Sequence, residues 1–417
     1  MGGRCLDRRV AGAGQQHQER QRVRLPREVR VLVAGTLVNR AGTFVEPFLV
    51  LYLTAEAGFT AAQAGLVLAA YGLGALVSQL LGGWATDHLG RRTTLVASLL
   101  LSAGSLIALG AARGTVMLIA AAVLVGVFGD MYRPAAQAII ADVVSPEERP
   151  VAFSAIFWAV NLGFSIAALS AGVAAEHGYW ILFVVDAATC ALFALVVLVG
   201  IRRDPPRAVH EGDGRLPGFG TALRDRTFMA VVGCTVLQAV AYFQCFLVLP
   251  LAVTSVGLGP SAYGVVAATN GIVIVAVQPF AARRLVRFDR SRLLAVSLAV
   301  CGLGFLLQTW ATTLPAFVAC AVVWTLGEIG AAGVLPSIVA DLAEPAARGR
   351  YMGLFGFSFG AAALVAPLVG PPLFQAAGAG AVWLMSLLLF GIAASGQLVI
   401  RRTVMARREA QVAASAA

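Results

Sequence analysis

The apolar positions of this chain fall into long, nearly unbroken runs separated by short polar or arginine-rich segments. Twelve runs can be read, starting near residues 30, 61, 92, 115, 151 and 179, then near 228, 261, 291, 314, 351 and 379. A helix needs about 20 apolar residues to cross a hydrocarbon core of about 30 Å. In lipid each backbone N–H and C=O must bond within the chain, and nothing here alternates with the period of a strand, so the runs predict helices. The expected fold class is an all-α membrane protein with twelve transmembrane helices.

The second half repeats the first at an offset of 199 residues: Gly65, Gly72, Gln79 and Arg91 fall on Gly264, Gly271, Gln278 and Arg290. Further on, Ala141, Asp142, Pro146 and Arg149 fall on Ala340, Asp341, Pro345 and Arg348. A parallel duplication predicts two pseudo-symmetric six-helix bundles, residues 29–201 and 227–402, that rock around a shared site. Between them, 202–226 reads as a cytoplasmic linker, with Asp204-Pro205-Pro206 and Gly212-Asp213-Gly214. Residues 1–28 read as a polar cytoplasmic segment and 403–417 as a cytoplasmic tail. The first segment lacks an apolar core followed by small residues, so helix 1 is expected to act as the insertion signal.

Composition adds orientation and removes several functions. Hydrophobic residues make up 59% and charged residues 12% of the chain, against roughly 25% charged in soluble domains, so most of the surface faces lipid. There is no lysine, and arginine carries all 31 positive charges. With both termini in the cytoplasm, Arg113 alone falls in an outer loop, Arg40 and Arg133 lie within helices, and the other arginines are cytoplasmic, as the positive-inside rule requires. The net charge of +10 then reflects topology and not nucleic-acid binding. A chain without lysine cannot form the phosphate-binding loop G-x-x-x-x-G-K-[ST], so energy must come from a gradient. His17, His88, His177 and His210 all fall in loops or the first segment, which argues against an enzyme. The cysteines have no metal-like spacing. No cofactor is expected, and the expected partners are a small-molecule substrate, protons and membrane lipid. The chain is taken as a monomer, and the absence of lysine suits a GC-rich genome and a bacterial inner membrane.

Between helices 2 and 3 the chain reads Gly83-Trp84-Ala85-Thr86-Asp87-His88-Leu89-Gly90-Arg91-Arg92. This resembles the signature G-x-x-x-D-R-x-G-R-R of the same loop in the major facilitator superfamily. The resemblance implies that Asp87 caps the start of helix 11 near Tyr351 and that Arg91 pairs with Asp142. With Gly83, Gly90 and Arg92, these residues would form a latch that holds the cytoplasmic side shut. His88 stands where the family usually has arginine, and the second copy has lost its glycines and carries Val286 opposite Asp87. Helix 1, with Arg40, Gly42, Pro47 and the run Phe48 to Leu53, resembles the drug and proton antiporter branch. Leu124 stands near that branch's helix 4 arginine, and Ala167-Ala168 replaces its Gly-Pro pair in helix 5. Ala366-Pro367 is kept in helix 11.

Five ionisable residues within predicted helices are candidates for function: Arg40, Glu46, Asp130, Arg133 and Glu328. Each costs roughly 2.5–3.5 kcal/mol at mid-bilayer unless it meets a partner or a wet cavity. At about 1.5 Å per residue, Arg40, Asp130, Arg133 and Glu328 sit about 15–20 Å deep and Glu46 nearer the outside. By the resemblance, helices 1, 4, 7 and 10 surround a central cavity where these charges meet. Asp130 and Arg133 are spaced to pair. Two arginines against three carboxylates leave an acid without a cation. Glu328 is the leading candidate for the coupling proton, followed by Asp130 and Glu46, with Arg40 and Arg133 as charge partners. Asp186 is read as structural. Asn39, Asn161, Gln238, Tyr242, Asn270 and Trp324 are the candidate substrate contacts, and aromatics with a few amides suit amphipathic, cationic organic molecules. The expected function is proton-coupled export of such compounds by alternating access. A proton-coupled importer or a facilitator for a sugar or amino acid is the alternative, with a membrane-embedded enzyme or sensor more remote.

Overall fold

The computed structural model describes residues 25–145, 148–201, 220–285, 287–332, 334–343 and 348–416. The segments expected to form the polar start and most of the linker, and Val286, lie outside them. The side chain of Asp87 is likewise not described.

The described residues are almost wholly helical, and ten of their helices are long and apolar enough to cross a membrane. The last of these, Tyr351–Arg407, holds two crossings joined at Gly378, whose φ of 77° is open to glycine. Helix 1 crosses in pieces, Arg27–Ala41, Val45–Leu51 and a π-helical turn Tyr52–Glu56. Counted so, the described residues make twelve crossings, and their first and last helical residues, Arg27 and Ala416, lie toward the same end. Helices 3 and 6, and helices 1 and 5, pair within the amino half, while helices 9 and 10, and helices 7 and 11–12, pair within the carboxyl half. The two six-helix bundles are therefore the repeat read at 199 residues.

Among the described residues, three crossings expected as single helices are interrupted part-way along their length. Helix 1 breaks between Ala41 and Val45, helix 4 between Gly129 and Tyr132, and helix 7 at Phe243 and Val248. The breaks in helices 1 and 7 are repeat-related. Apolar runs conceal them, because a run reports length and hydropathy but not where one peptide leaves the hydrogen-bond ladder.

The bundles meet at the end opposite the termini. A Cβ on Gly65 would lie 2.3 Å from the Pro367 carbonyl oxygen, and one on Gly72 2.5 Å from that of Ala363. These two carbonyls are the ones that Pro371 and Pro367, four residues on, leave without a helical donor. On the other flank Gly264 approaches the Ala168 carbonyl and Gly271 approaches Ser165. The repeated glycines thus form the seam, helix 2 on helix 11 and helix 8 on helix 5. The seal is completed by Phe48 against Tyr263, with ring centroids 5.1 Å apart, and by the Gln375 side chain accepting the Ala62 N–H at 3.0 Å. At the other end a Cβ on Gly83, Gly353 or Gly356 would meet nothing within 4 Å.

Helix 12 continues without a break through Ala416, and Arg407 on this extension binds Asp225, the N-cap of helix 7. Asp225 also accepts from Thr227 N, Phe228 N and the Tyr351 hydroxyl, 3.1 Å away. Burial pushes this carboxyl up, but the Arg407 guanidinium and the N–H and hydroxyl donors outweigh it and hold the group below its usual range. A depressed carboxyl stabilises the fold above its unfolded pKa of about 4, and that stabilisation is lost as the pH falls through the lower, folded value. Arg407→Ala is therefore expected to cost about 1 kcal/mol at pH 7, a modest figure because the guanidinium is partly exposed. The difference from the native chain in thermal melts should close once Asp225 is protonated in both.

Candidate functional site

The internal charges cluster at the helix breaks, where backbone groups left unpaired by the ladder line a cavity instead of lipid. In the amino half, Asp130 lies at the break of helix 4 and takes Arg133 Nε at 2.9 Å and Arg40 Nη2 at 3.4 Å. Arg40 also donates to the Tyr132 hydroxyl at 3.0 Å. Its side chain is 11% exposed, whereas Arg133 is 46% exposed, so Arg40 is built into the bundle and Arg133 reaches open space. Glu46 stands in the first turn above the break of helix 1 and is exposed.

The carboxyl half holds a different arrangement at the equivalent place. Glu328 on helix 10 accepts from the Tyr242 hydroxyl at 3.0 Å and from Asn270 Nδ2 at 2.7 Å, and Asn270 also donates to Thr325. The repeat sets Tyr242, Asn270 and Glu328 opposite Thr43, Tyr71 and Gly129, the last beside Asp130. Both halves therefore place a carboxyl on helix 4 or 10. Two guanidiniums fix the one in the amino half. The one in the carboxyl half has neutral donors, and among the described residues it forms no salt bridge.

Aromatic rings wall the Glu328 side. Trp324 lies one turn from Glu328 with its ring 5.9 Å from that of Tyr242, and Phe246 faces both Tyr242 and, across the seam, Phe164. Gln238 is one turn from Tyr242, and its Oε1 and the Trp324 Nε1 are buried without a hydrogen-bond partner. Asn161 bonds to the Phe157 carbonyl of its own helix. Asn39, counted with the substrate contacts, is buried and donates to Cys190 Sγ at 3.2 Å. It lines a cavity of ≈ 70 Å³ inside the amino half with Arg40, Glu46, Asp130 and Asp186. Sequence reasoning passed over Tyr132 and Thr325, and the neighbouring charges on the same helices were the signal for both.

At the signature loop Arg91 pairs with Asp142, Arg92 donates to the Leu198 carbonyl at 3.0 Å, and Gly90 turns the chain with φ of 90°. Arg290 and Asp341 form the same pair in the carboxyl half. Each pair joins helices of one bundle, so it staples a bundle internally. Tyr351 donates to Asp225, and the expected place of the Asp87 side chain near it lies outside the described residues.

The major facilitator superfamily model matches residues 32–259 and 233–414, nearly the whole chain. The chain belongs to the major facilitator superfamily. That membership makes it a multi-pass membrane transporter and not an enzyme. It is 26% identical over 94% of its length to the MFS-type transporter YttB of Bacillus subtilis (strain 168), covering 99% of that protein. It is 26% identical to the multidrug resistance protein MdtH of Klebsiella pneumoniae, over 80% of this chain and 83% of that one. A Na(+), Li(+), K(+)/H(+) antiporter of Planococcus maritimus is 23% identical over 82% of this chain and 88% of its own. Among solved structures, the peptide transporter POT superposes with a TM-score of 0.76 at 18% identity, over 92% of this chain and 96% of its own. The last likeness is one of superfamily fold alone.

Proposed function

We propose that the chain is a proton-coupled exporter of small amphipathic organic compounds in a bacterial inner membrane, with both termini cytoplasmic. In that orientation the glycine seam and the Phe48–Tyr263 contact lie on the outer side, which suits an outward-sealed state of an alternating-access cycle. The observation that carries the reading is Glu328. An ionised carboxylate held only by a phenol and an amide, beside apolar and aromatic walls, is costly. Binding and release of a proton, or of a cationic substrate, relieves that cost, and competition between the two couples them. The orphaned Gln238 Oε1 and Trp324 Nε1 supply the polar contacts that orient an organic molecule against the Trp324–Tyr242–Phe246 wall. Relatives named for multidrug resistance and for cation/proton antiport support the same reading.

Purified protein in liposomes with an imposed pH gradient, challenged with a panel of dyes, drugs, sugars and amino acids, tests it. Export requires that dyes or drugs move against the proton gradient and collapse it in step. Movement of a sugar or amino acid with the proton gradient would instead establish the importer. Flux indifferent to the gradient would leave a facilitator.

A further inference from the structure

We propose that the small cavity inside the amino half is a second proton-binding site, separate from Glu328, whose acid is Asp186 and whose occupancy sets the hold on the outer part of helix 1. Asp186 is 5% exposed on helix 6, and its Oδ2 accepts the N–H of Val45 at 3.2 Å. Val45 is the first residue of helix 1 above its break, so a side chain of another helix caps this segment. Gly42-Thr43-Phe44 provide no side-chain cap of their own, the Thr43 hydroxyl turning back to the Asn39 carbonyl.

The capped segment is also part of the seal between the bundles. It carries Phe48, packed edge-on to Tyr263 of helix 8, and Tyr52, packed edge-on to Phe183. An anionic Asp186 holds the segment by a charge-assisted hydrogen bond and by attraction to the positive end of the helix. A protonated one offers only a neutral carbonyl. The cavity gives the proton a place to arrive, since ≈ 70 Å³ exceeds the roughly 10–15 Å³ that one water needs. The groups facing Asp186 are Arg40 and Glu46 from helix 1, Tyr71 from helix 2, Asp130 from helix 4 and Cys190 from its own helix. Of these, Arg40 is engaged by Asp130 and Tyr132, and among the described residues Asp186 forms no salt bridge. The repeat contains its own control: helix 7 breaks at Phe243, the counterpart of Phe44, but Met385 stands opposite Asp186.

Hydrogen–deuterium exchange of the full chain in lipid nanodiscs, without substrate, reads the hold directly. Exchange of the peptide covering residues 44–56 should rise about tenfold between pH 8 and pH 5.5 relative to the peptide covering 249–255, which corrects for the intrinsic pH dependence of exchange. In Asp186→Asn, which copies the shape of the neutral acid, the segment should be loose at both pH values and the step lost. In Glu46→Gln the step should persist, and that arm alone decides the matter if the Asp186→Asn protein does not fold. No step in the native chain, a step kept in Asp186→Asn, or a step lost in Glu46→Gln each overturns the proposal. Because no substrate or gradient is present, a failed Glu328 reading leaves this result untouched.

Discussion

Glu328→Gln is expected to abolish uphill transport while leaving passive equilibration of substrate across the liposome membrane. With one proton exchanged per substrate, a pH gradient of one unit supports about tenfold accumulation, because one pKa unit and one decade of concentration are each about 1.4 kcal/mol. In the variant the accumulation ratio should fall to one. Glutamine retains the oxygen that accepts from Tyr242 but presents an amide to the Asn270 Nδ2, so one of two observed hydrogen bonds is lost. That loss weakens binding by up to about tenfold without dismantling the site. The comparison that isolates coupling is Asp130→Asn. It strips the carboxylate from between Arg40 and Arg133, leaving the nearly buried Arg40 guanidinium without its ion pair, and because Asp130 and Arg133 are partly exposed the cost is about 1–3 kcal/mol. Asp130→Asn should therefore lower stability and yield, whereas Glu328→Gln should fold normally and be uncoupled. A Glu328→Gln protein that still accumulates substrate with unchanged pH dependence would remove Glu328 as the coupling acid.

The contrast between these two acids was only partly legible in the chain. The surplus of carboxylates over arginines was countable, and the spacing of Asp130 and Arg133 announced their pair. That Arg40 joins them, and that Glu328 is given a tyrosine and an amide, depends on which helices face one another, which spacing along one helix does not encode. Twelve crossings and two bundles followed from hydropathy and the repeat, because burial in lipid and duplication both act on long stretches. The helix breaks escaped notice for the opposite reason. Each is set by a few peptides, and at Val45 the decisive group, Asp186, is remote in sequence and resembled a structural residue. The signature loop was found by its residues, yet the Arg91 and Asp142 pair lies within one bundle. A charge motif identifies partners more readily than it identifies the state in which they matter.

Gly72→Val should shift the resting protein away from the outward-sealed arrangement and slow transport strongly. The neighbours a Cβ would meet at Gly72 are backbone atoms, the Ala363 carbonyl oxygen at 2.5 Å and its carbon at 2.8 Å, and these cannot rotate aside as a side chain could. The contact lies between bundles, so the substitution leaves each bundle's own packing intact and penalises only the state that closes this seam. Opening the seam by even the width of a methyl group forfeits the close contact of helices 2 and 11 and the apolar area it covers. A bias of about 1.4 kcal/mol already changes the ratio of the two states tenfold. Water-soluble thiol reagents applied from outside to a cysteine placed at Phe48, in an otherwise cysteine-free chain, report the outcome. Labelling should be slow with Gly72 in place and about tenfold faster, or more, in Gly72→Val, while melting temperature changes little. Equal labelling rates would mean that helices 2 and 11 do not bear the seal. Gly271→Val offers the milder comparison, because its nearest neighbour is the Ser165 hydroxyl, which can rotate away. The two flanks of one duplicated seam should thus differ in tolerance according to whether backbone or side chain stands opposite the glycine.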